Sequence, residues 1–203
     1  MNPSDFANTY QTAAQTASDA TGIPVLLILA QAALESGYGA HAPGNAFFGI
    51  KAGKSWTGAT QLLPTHEFVN GVKVAIQAPF RAYSSPADSF ADWANFIKSN
   101  ERYAPVLAAS DSVSAAKALQ SAGYSTSPTY ADSLIVVAHK LVPSAIDAPT
   151  YAASLARVLG AQAKKDAAAV AQVATSGPGL AVLALAGITG AVYFISRSYT
   201  GGG

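Results

Sequence analysis

One carboxylate, Glu35, stands at the end of a long apolar segment and directly before a glycine-rich turn. The segment predicts a helix over residues 24–35, because Gly22 ends the preceding element and Pro24 suits a first helical position. Since it is apolar on almost every side, we expect this helix to be buried. The helix dipole and the apolar surroundings both disfavour an ionised Glu35, so we expect its pKa to be raised. A carboxyl group protonated near neutral pH is what general acid catalysis requires.

A second carboxylate, Glu67, lies on the first strand of a predicted β-hairpin. The hairpin is indicated by Asn70-Gly71, a preferred two-residue turn, and by the alternating apolar residues that follow it. Paired Asp or Glu residues across a cleft carry out most glycoside hydrolysis, so Glu35 and Glu67 together indicate that chemistry. The simpler interpretation, that Glu35 is a solvated residue at a helix end, stays open on these residues alone.

The elements that must position these two residues are mostly helical. Asp88 and Asp92 belong to a helix that begins after Ser85, and we interpret them as capping or solvated residues. The hydrophobic periodicity and the capping residues predict helices over about residues 4–20, 85–100, 111–123 and 127–141. The sequence therefore predicts an α+β domain in which a small β-hairpin lobe stands across a cleft from a helical lobe.

The composition restricts the possible partners and cofactors. Charged residues make up 11% and hydrophobic residues 50% of the 203, with a mean hydropathy of +0.25, which indicates a membrane contact. The net charge of +1 gives no reason to expect a nucleic-acid partner. The chain has no cysteine, and His41, His66 and His139 lack metal-ligand spacing, so we expect neither a metal nor another cofactor. The N-terminal residues do not have the pattern of a secretory signal.

Composition also divides the chain along its length. Residues 1–143 are predicted to form the catalytic domain, and residues 144–178 an alanine-rich helical stem. Residues 179–196 are predicted to form a transmembrane helix, since residues 180–195 carry no charge, and residues 197–203 form a glycine-rich tail. The alternative for the apolar segment is a helix that packs inside a larger assembly.

An ordered set of motifs resembles the lysozyme-like N-acetylglucosaminidases of glycoside hydrolase family 73, the family of the flagellar peptidoglycan hydrolase and many autolysins. The resemblance covers about residues 5–142 and implies a lysozyme-like fold. It implies cleavage of the β-1,4 bond between N-acetylglucosamine and N-acetylmuramic acid in peptidoglycan. The motifs are AQAALESGYG at 30–39, NAFFGIK at 45–51, WTG at 56–58, THE at 65–67, FRAY at 80–83, RY at 102–103 and AGY at 122–124.

The resemblance also implies roles for individual residues. Glu35 is expected to protonate the leaving glycosidic oxygen. Glu67 is expected either to activate water from the opposite face or to orient the substrate's own 2-acetamido group, and the sequence does not choose between these. Tyr124 is expected to hydrogen-bond the acetamido group or the water, and Phe48 and Tyr130 are candidates for stacking on sugar faces.

Two departures from the family pattern accompany the resemblance. The chain reads Ser125-Thr126-Ser127-Pro128 where the family often has Ala-Thr-Asp-Pro, and Tyr38 stands where Trp is common. The missing acidic residue leaves room for a second function, in which the domain only binds glycan as a structural part of a membrane-embedded assembly.

The expected location follows from combining a wall hydrolase with a membrane helix and no secretory signal. We expect the protein to be anchored by its C-terminus and packaged in a bacteriophage virion that carries a membrane, where it opens the wall during entry. The alternative is the host inner membrane, with release late in infection. The expected partners are peptidoglycan strands, the membrane, and further copies of this chain or other virion proteins.

Overall fold

The computed structural model describes residues 1–69 and 72–175, apart from the side chains at 66–69, 72, 73, 167 and 169–175. These residues are mostly helical and include one two-stranded antiparallel sheet, which confirms the predicted α+β class. The helices are α1 (Pro3–Thr21), α2 (Val25–Ser36), α3 (Pro86–Lys98), α4 (Ala104–Leu107), α5 (Ser112–Ser121), α6 (Tyr130–Leu141) and α7 (Ala148–Thr175), and the strands are β1 (Thr60–Val69) and β2 (Val72–Arg81).

Helix α2 lies at the centre of the helical lobe, where it packs against α1, α5 and α6. Eight of its twelve residues are buried, as expected for a helix that is apolar on almost every side. Pro24 is its N-cap, and the Pro24 carbonyl accepts the first helical hydrogen bonds. The helix ends at Ser36, and Gly37 follows as the C-cap in the left-handed conformation, with φ 57°. This buried helix carries Glu35 in its last turn.

The β-hairpin pairs β1 with β2 from Thr60 opposite Arg81 at its base to Val69 opposite Val72 at its tip. This register is the one expected for a two-residue Asn-Gly turn, although residues 70 and 71 themselves lie outside the described part. Glu67 pairs with Val74, close to the tip. The predicted hairpin is thereby confirmed, and it is the element that positions the second carboxylate.

Two helix starts show how far local signals determine the structure. Helix α3 begins as predicted, because the Ser85 hydroxyl accepts from the Asp88 N–H while the Asp88 carboxylate accepts from the Ser85 N–H. Helix α6 begins at Tyr130, three residues after Ser127, which was predicted to open it. The Tyr130 N–H bonds to the Ser127 carbonyl, so residues 127–130 form a turn before the helix starts.

Helix α7 covers most of the predicted alanine-rich stem. Its first turns pack on α6, where Tyr151 stacks on His139 at 4.0 Å between ring centroids and Arg157 pairs with Asp132 at 2.7 Å. The beginning of the predicted stem is therefore attached to the helical lobe. The predicted transmembrane helix and glycine-rich tail lie in residues 176–203, outside the described residues. Among the helices that are described, none is both long and apolar enough to cross a bilayer.

Asp111→Ala is expected to lower the free energy of unfolding by about 1 kcal/mol, because Asp111 is the N-cap of α5. Its Oδ1 accepts from the backbone N–H groups of Val113 and Ser114, both at 2.8 Å. Hydrogen bonds from the Ser114 side chain and backbone lower the pKa of Asp111. The charged cap therefore stabilises the fold above the unfolded-state pKa, and this contribution is lost as the pH falls through the lowered, folded-state pKa.

Urea unfolding at neutral pH and at about pH 3 measures this effect, since the lower value lies below the usual pKa of an aspartate. The loss caused by Asp111→Ala should shrink at the lower pH. Asp111→Asn keeps an acceptor at the cap and serves as the control, with a stability close to wild type. An equal loss for Asn and Ala would contradict the capping role.

Candidate active site

The turn that follows Glu35 is held in an unusual backbone conformation. Gly37, Tyr38 and Gly39 all have positive φ angles, of 57°, 56° and 80°. Ser36, which is fully buried, accepts a hydrogen bond from the Gly39 N–H at 2.9 Å and donates to a carbonyl one turn back at 2.6 Å. The chain therefore turns sharply away from α2 directly after Glu35. Glu35 itself is half-buried rather than solvated.

The Glu35 carboxyl is held by two side chains. Gln31 Nε2 donates to Glu35 Oε1 at 2.9 Å, and the Tyr130 hydroxyl lies 2.9 Å from the same oxygen. The Tyr130 hydroxyl also lies 2.7 Å from Gln31 Oε1, so the three groups form a closed network. Gln31 and Tyr130 are buried, with 0% and 2% exposure. The network fixes the direction of the carboxyl group.

This network suits a group that gives up and regains a proton. A tyrosine hydroxyl has one proton to donate, and its oxygen can also accept. Tyr130 can donate to Glu35 Oε1 whether Glu35 is ionised or protonated on its other oxygen, since carboxylate and carbonyl oxygens both accept. When Tyr130 donates instead to Gln31, its oxygen can accept from a protonated Glu35. The raised pKa expected from the sequence stays a prediction, and the contacts accommodate both states of the acid.

Gln31 was not among the residues singled out from the sequence. The signal that indicates it is its spacing, since residues four apart in a helix lie on the same face. The 31–35 pair sits within an apolar helix, where a buried amide needs a partner. The partner from α6, Tyr130, is 95 residues away along the chain and is brought in only by the packing of α6 on α2.

The aromatic residues predicted to contact sugar are buried. Phe48 is 4% exposed, and its ring stacks on Trp93 with 5.0 Å between centroids. The Tyr130 ring stacks on Tyr124 at 5.7 Å, and both residues are 2% exposed. The stacking role predicted for Phe48 and Tyr130 is not supported by this arrangement, because each side chain is almost fully buried and stacks on a neighbouring ring. Tyr130 instead contacts the acid through its hydroxyl.

Tyr124 lies one layer behind Tyr130. Its hydroxyl accepts a hydrogen bond from Trp93 Nε1 at 2.9 Å, and its ring also contacts Tyr103 at 5.9 Å. Direct bonding of Tyr124 to an acetamido group stays a prediction. In this structure the contacts of Tyr124 orient Tyr130, and through Tyr130 they support Glu35.

A groove of about 530 Å³ separates the turn after α2 from strand β1. Its walls include Gly39 and His41 on one side and Leu63 and Pro64 on the other. Gly39 is bonded to the end of α2, so this groove lies beside the helix end that carries Glu35. Glu67 follows Leu63 and Pro64 along the same strand, β1. The groove therefore lies between the elements that carry the two carboxylates.

A second groove, of about 470 Å³, lies between α1 and α3. It is lined mainly by small and hydroxyl-bearing residues of these two helices. Neither groove has a carboxylate among its described lining residues, and we take the groove beside β1 as the candidate active site because its walls come from the turn after α2 and from the strand that carries Glu67. Among the residues that the structure describes, no group of three or more His, Asp or Glu side chains is placed to hold a metal ion.

Tyr130→Phe is expected to lower kcat by about tenfold to a hundredfold, because a hydrogen bond to a charged group contributes about 1.5–3 kcal/mol. The substitution removes the hydroxyl that contacts Glu35 and keeps the buried ring. Initial rates on purified peptidoglycan measure the effect. Tyr151→Phe on α7 is the matched control and should keep the wild-type rate, since Tyr151 stacks on His139. Equal rates for both variants would remove Tyr130 from the site.

Comparisons with known proteins identify similar sequences. A family model described as Glucosaminidase: Mannosyl-glycoprotein endo-beta-N-acetylglucosaminidase matches residues 11–142. The peptidoglycan hydrolase FlgJ of Vibrio parahaemolyticus is 40% identical over 147 residues, which cover 69% of this chain and 48% of that protein. The exo-glucosaminidase LytG of Bacillus subtilis is 36% identical over 122 residues, or 56% of this chain and 43% of LytG. The chain spans about half the length of the curated relatives it matches.

Solved structures show the same fold. The C-terminally truncated glycoside hydrolase domain of Salmonella typhimurium FlgJ matches with a TM-score of 0.61 and 38% sequence identity. The match covers 72% of this chain and 100% of that domain. The lysozyme-like glycoside hydrolase fold expected from the motifs is thereby confirmed for the helical lobe and its small sheet.

Proposed function

This chain belongs to the glucosaminidase family, glycoside hydrolase family 73, and from that premise we propose that it hydrolyses peptidoglycan at the β-1,4 bond between N-acetylglucosamine and N-acetylmuramic acid. The observation that carries the proposal is the Glu35 carboxyl, held by Gln31 and Tyr130 at the end of α2 and followed directly by the turn whose Gly39 lines the groove. A fixed, half-buried carboxyl at a groove is the arrangement that general acid catalysis needs.

In the proposed reaction, Glu35 gives its proton to the bridging oxygen as the bond to C1 of N-acetylglucosamine breaks. The leaving group is then the 4-hydroxyl of N-acetylmuramic acid, and positive charge develops at C1. Two routes complete the reaction. In one, Glu67 takes a proton from a water that attacks C1 from the opposite face, which inverts the configuration. In the other, the 2-acetamido oxygen attacks C1, Glu67 stabilises the resulting ring, and water then opens it with overall retention.

The ends of the released fragments test the proposal. Purified peptidoglycan is digested with the protein, reduced with borohydride and analysed by mass spectrometry. Cleavage after N-acetylglucosamine gives fragments that end in N-acetylglucosaminitol, which is the expected product. Fragments that end in N-acetylmuramitol would contradict the assigned bond. Binding to peptidoglycan without any new reducing end would favour the structural glycan-binding alternative.

For residues 179–196 we infer a transmembrane helix that anchors the chain. The support is compositional, since residues 180–195 are uncharged and a lipid-facing helix needs such a run. The full chain should sediment with membranes after carbonate extraction. A variant that ends at residue 175 should stay in the supernatant and keep its peptidoglycan hydrolysis. Release of the full chain by carbonate would contradict the anchor.

The location that fits an anchored wall hydrolase is the membrane of a bacteriophage particle, where the domain meets the wall at entry. This location is a proposal that rests on the two preceding ones. Mass spectrometry of purified particles tests it directly, and the absence of peptides from this chain would rule it out in favour of the host inner membrane.

A further inference from the structure

A charged cluster joins the base of the hairpin to the helical lobe. Arg81 Nη1, at the end of β2, lies 2.9 Å and 2.8 Å from the two carboxylate oxygens of Asp92 on α3. The Tyr83 hydroxyl donates to Asp92 Oδ2 at 2.7 Å. Asp92 was interpreted from the sequence as a capping or solvated residue, but it is bonded to the hairpin instead. We propose that Asp92 is a positioning residue for hydrolysis, because it holds Arg81 and thereby fixes the angle at which the hairpin presents Glu67.

The cluster lies at the base of the hairpin, where a small rotation produces a large displacement of residues near the tip. Arg81 pairs with Thr60 at the base, and Glu67 is seven residues further along β1. At about 3.3 Å per residue, Glu67 lies about 23 Å from the base. A rotation of about 5° at the base would therefore move Glu67 by about 2 Å, and displacements of about 1 Å can cost a hundredfold in rate.

Other hydrogen bonds at the base join the hairpin to residues 43–52, which precede it in the chain. The Ala52 N–H donates to the Pro79 carbonyl and the Arg81 N–H to the Ile50 carbonyl, while the Tyr83 N–H donates to the Gly44 carbonyl and Gln61 Nε2 to the Pro43 carbonyl. Asp92, in contrast, is followed directly by Trp93, which is fully buried in the helical core. The bond from Arg81 to Asp92 therefore ties the hairpin to the rigid part of the domain that also holds Glu35.

The surroundings of the cluster make Asp92 hard to replace. The side chains of Arg81 and Asp92 are only 16% and 21% exposed. The Trp56 ring covers the guanidinium, with 4.5 Å from Arg81 Cζ to the ring centroid. Arg81 Nε is buried and has no hydrogen-bond partner among the described residues. Without Asp92 the guanidinium would lose its counter-charge in a site that excludes much of the water, so we expect it to move and the hairpin to move with it.

The Tyr83 hydroxyl, which donates to Asp92, has a raised pKa in this cluster. Burial raises its pKa, and the neighbouring Asp92 raises it further. Tyr83 therefore stays a neutral donor at any pH at which the enzyme works, and the Asp92 carboxylate keeps its bonds from both partners.

The inference rests on the proposed role of Glu67. A double-mutant cycle tests the positioning role of Asp92 separately from the catalytic role of Glu67. Asp92→Asn is expected to lower kcat on purified peptidoglycan by about tenfold to a hundredfold. The same substitution in a Glu67→Gln background should lower the remaining rate by less than about threefold, because groups that act as a unit are not additive. The same factor in both backgrounds would overturn the inference, since Asp92 would then act independently of Glu67.

Asp132→Asn is the matched control. It breaks a second Arg–Asp pair, between Asp132 and Arg157, and should affect the attachment of α7 without lowering kcat. If Asp92→Asn does not fold, Tyr83→Phe removes one of the bonds to Asp92 and should give a smaller loss with the same non-additivity. Wild-type kcat for Asp92→Asn with an impaired Glu67→Gln would overturn only the positioning role. Wild-type kcat for Glu67→Gln would overturn the role of Glu67 and, with it, this inference.

Discussion

Glu35→Gln is expected to lower the rate of peptidoglycan hydrolysis by at least about 100-fold, because general acid catalysis contributes that much and an amide has no proton of comparable acidity. The substitution keeps the size of the side chain. Gln31 Nε2 and the Tyr130 hydroxyl can both still donate to an amide oxygen, so the network around residue 35 has no unpaired acceptor. The loss should therefore appear in kcat with little change in the free energy of unfolding.

New reducing ends measured over time give the rate, and circular dichroism with urea unfolding checks the fold. Glu101→Gln, on an exposed residue of the short helical turn before α4, is the matched control and should keep wild-type activity. The pH profile gives a second test. In the wild type, kcat/KM should fall as the pH rises through the pKa of Glu35, because the acid must be protonated. A residual rate of Glu35→Gln within a few-fold of wild type would remove Glu35 from the mechanism.

The sequence determines the elements that carry the candidate site because their signals are local. Helix α2 is apolar over almost its whole length and is capped by Gly37 after its last residue, and the capping box of Ser85 and Asp88 fixes the start of α3. The register of β1 with β2 matches a two-residue turn. Each of these depends on residues only a few positions apart, so they are read correctly from one sequence.

What the sequence does not show is which side of an aromatic residue faces the core. Phe48 was expected to meet sugar, but packing against Trp93 and Phe90 buries its ring. Asp92 has the same local pattern as any polar residue on a helix surface, and its role depends on Arg81 from a different element. Contacts between elements depend on how helices and hairpin pack, which no short-range pattern encodes.

Glu67→Ala is expected to reduce hydrolysis by about 100-fold or more, since it removes the second carboxylate of the proposed pair. The residue lies near the tip of the hairpin, opposite Val74, so its replacement should leave the helical lobe and the network around Glu35 unchanged. Wild-type activity in Glu67→Ala would show that a single acid suffices. Glu67→Gln is the matched variant, because it keeps the size of the side chain and leaves no space for an added anion.

Azide added to Glu67→Ala distinguishes the two proposed routes. If Glu67 activates water, azide takes the place of that water and attacks C1 from the face opposite the leaving group. The product is then an α-glycosyl azide, and Glu67→Gln is not rescued. If the 2-acetamido group attacks first, azide opens the resulting ring from the β face, and the product is a β-glycosyl azide. Nuclear magnetic resonance of the anomeric proton identifies the product, so one variant assigns both the role of Glu67 and the stereochemistry of the reaction.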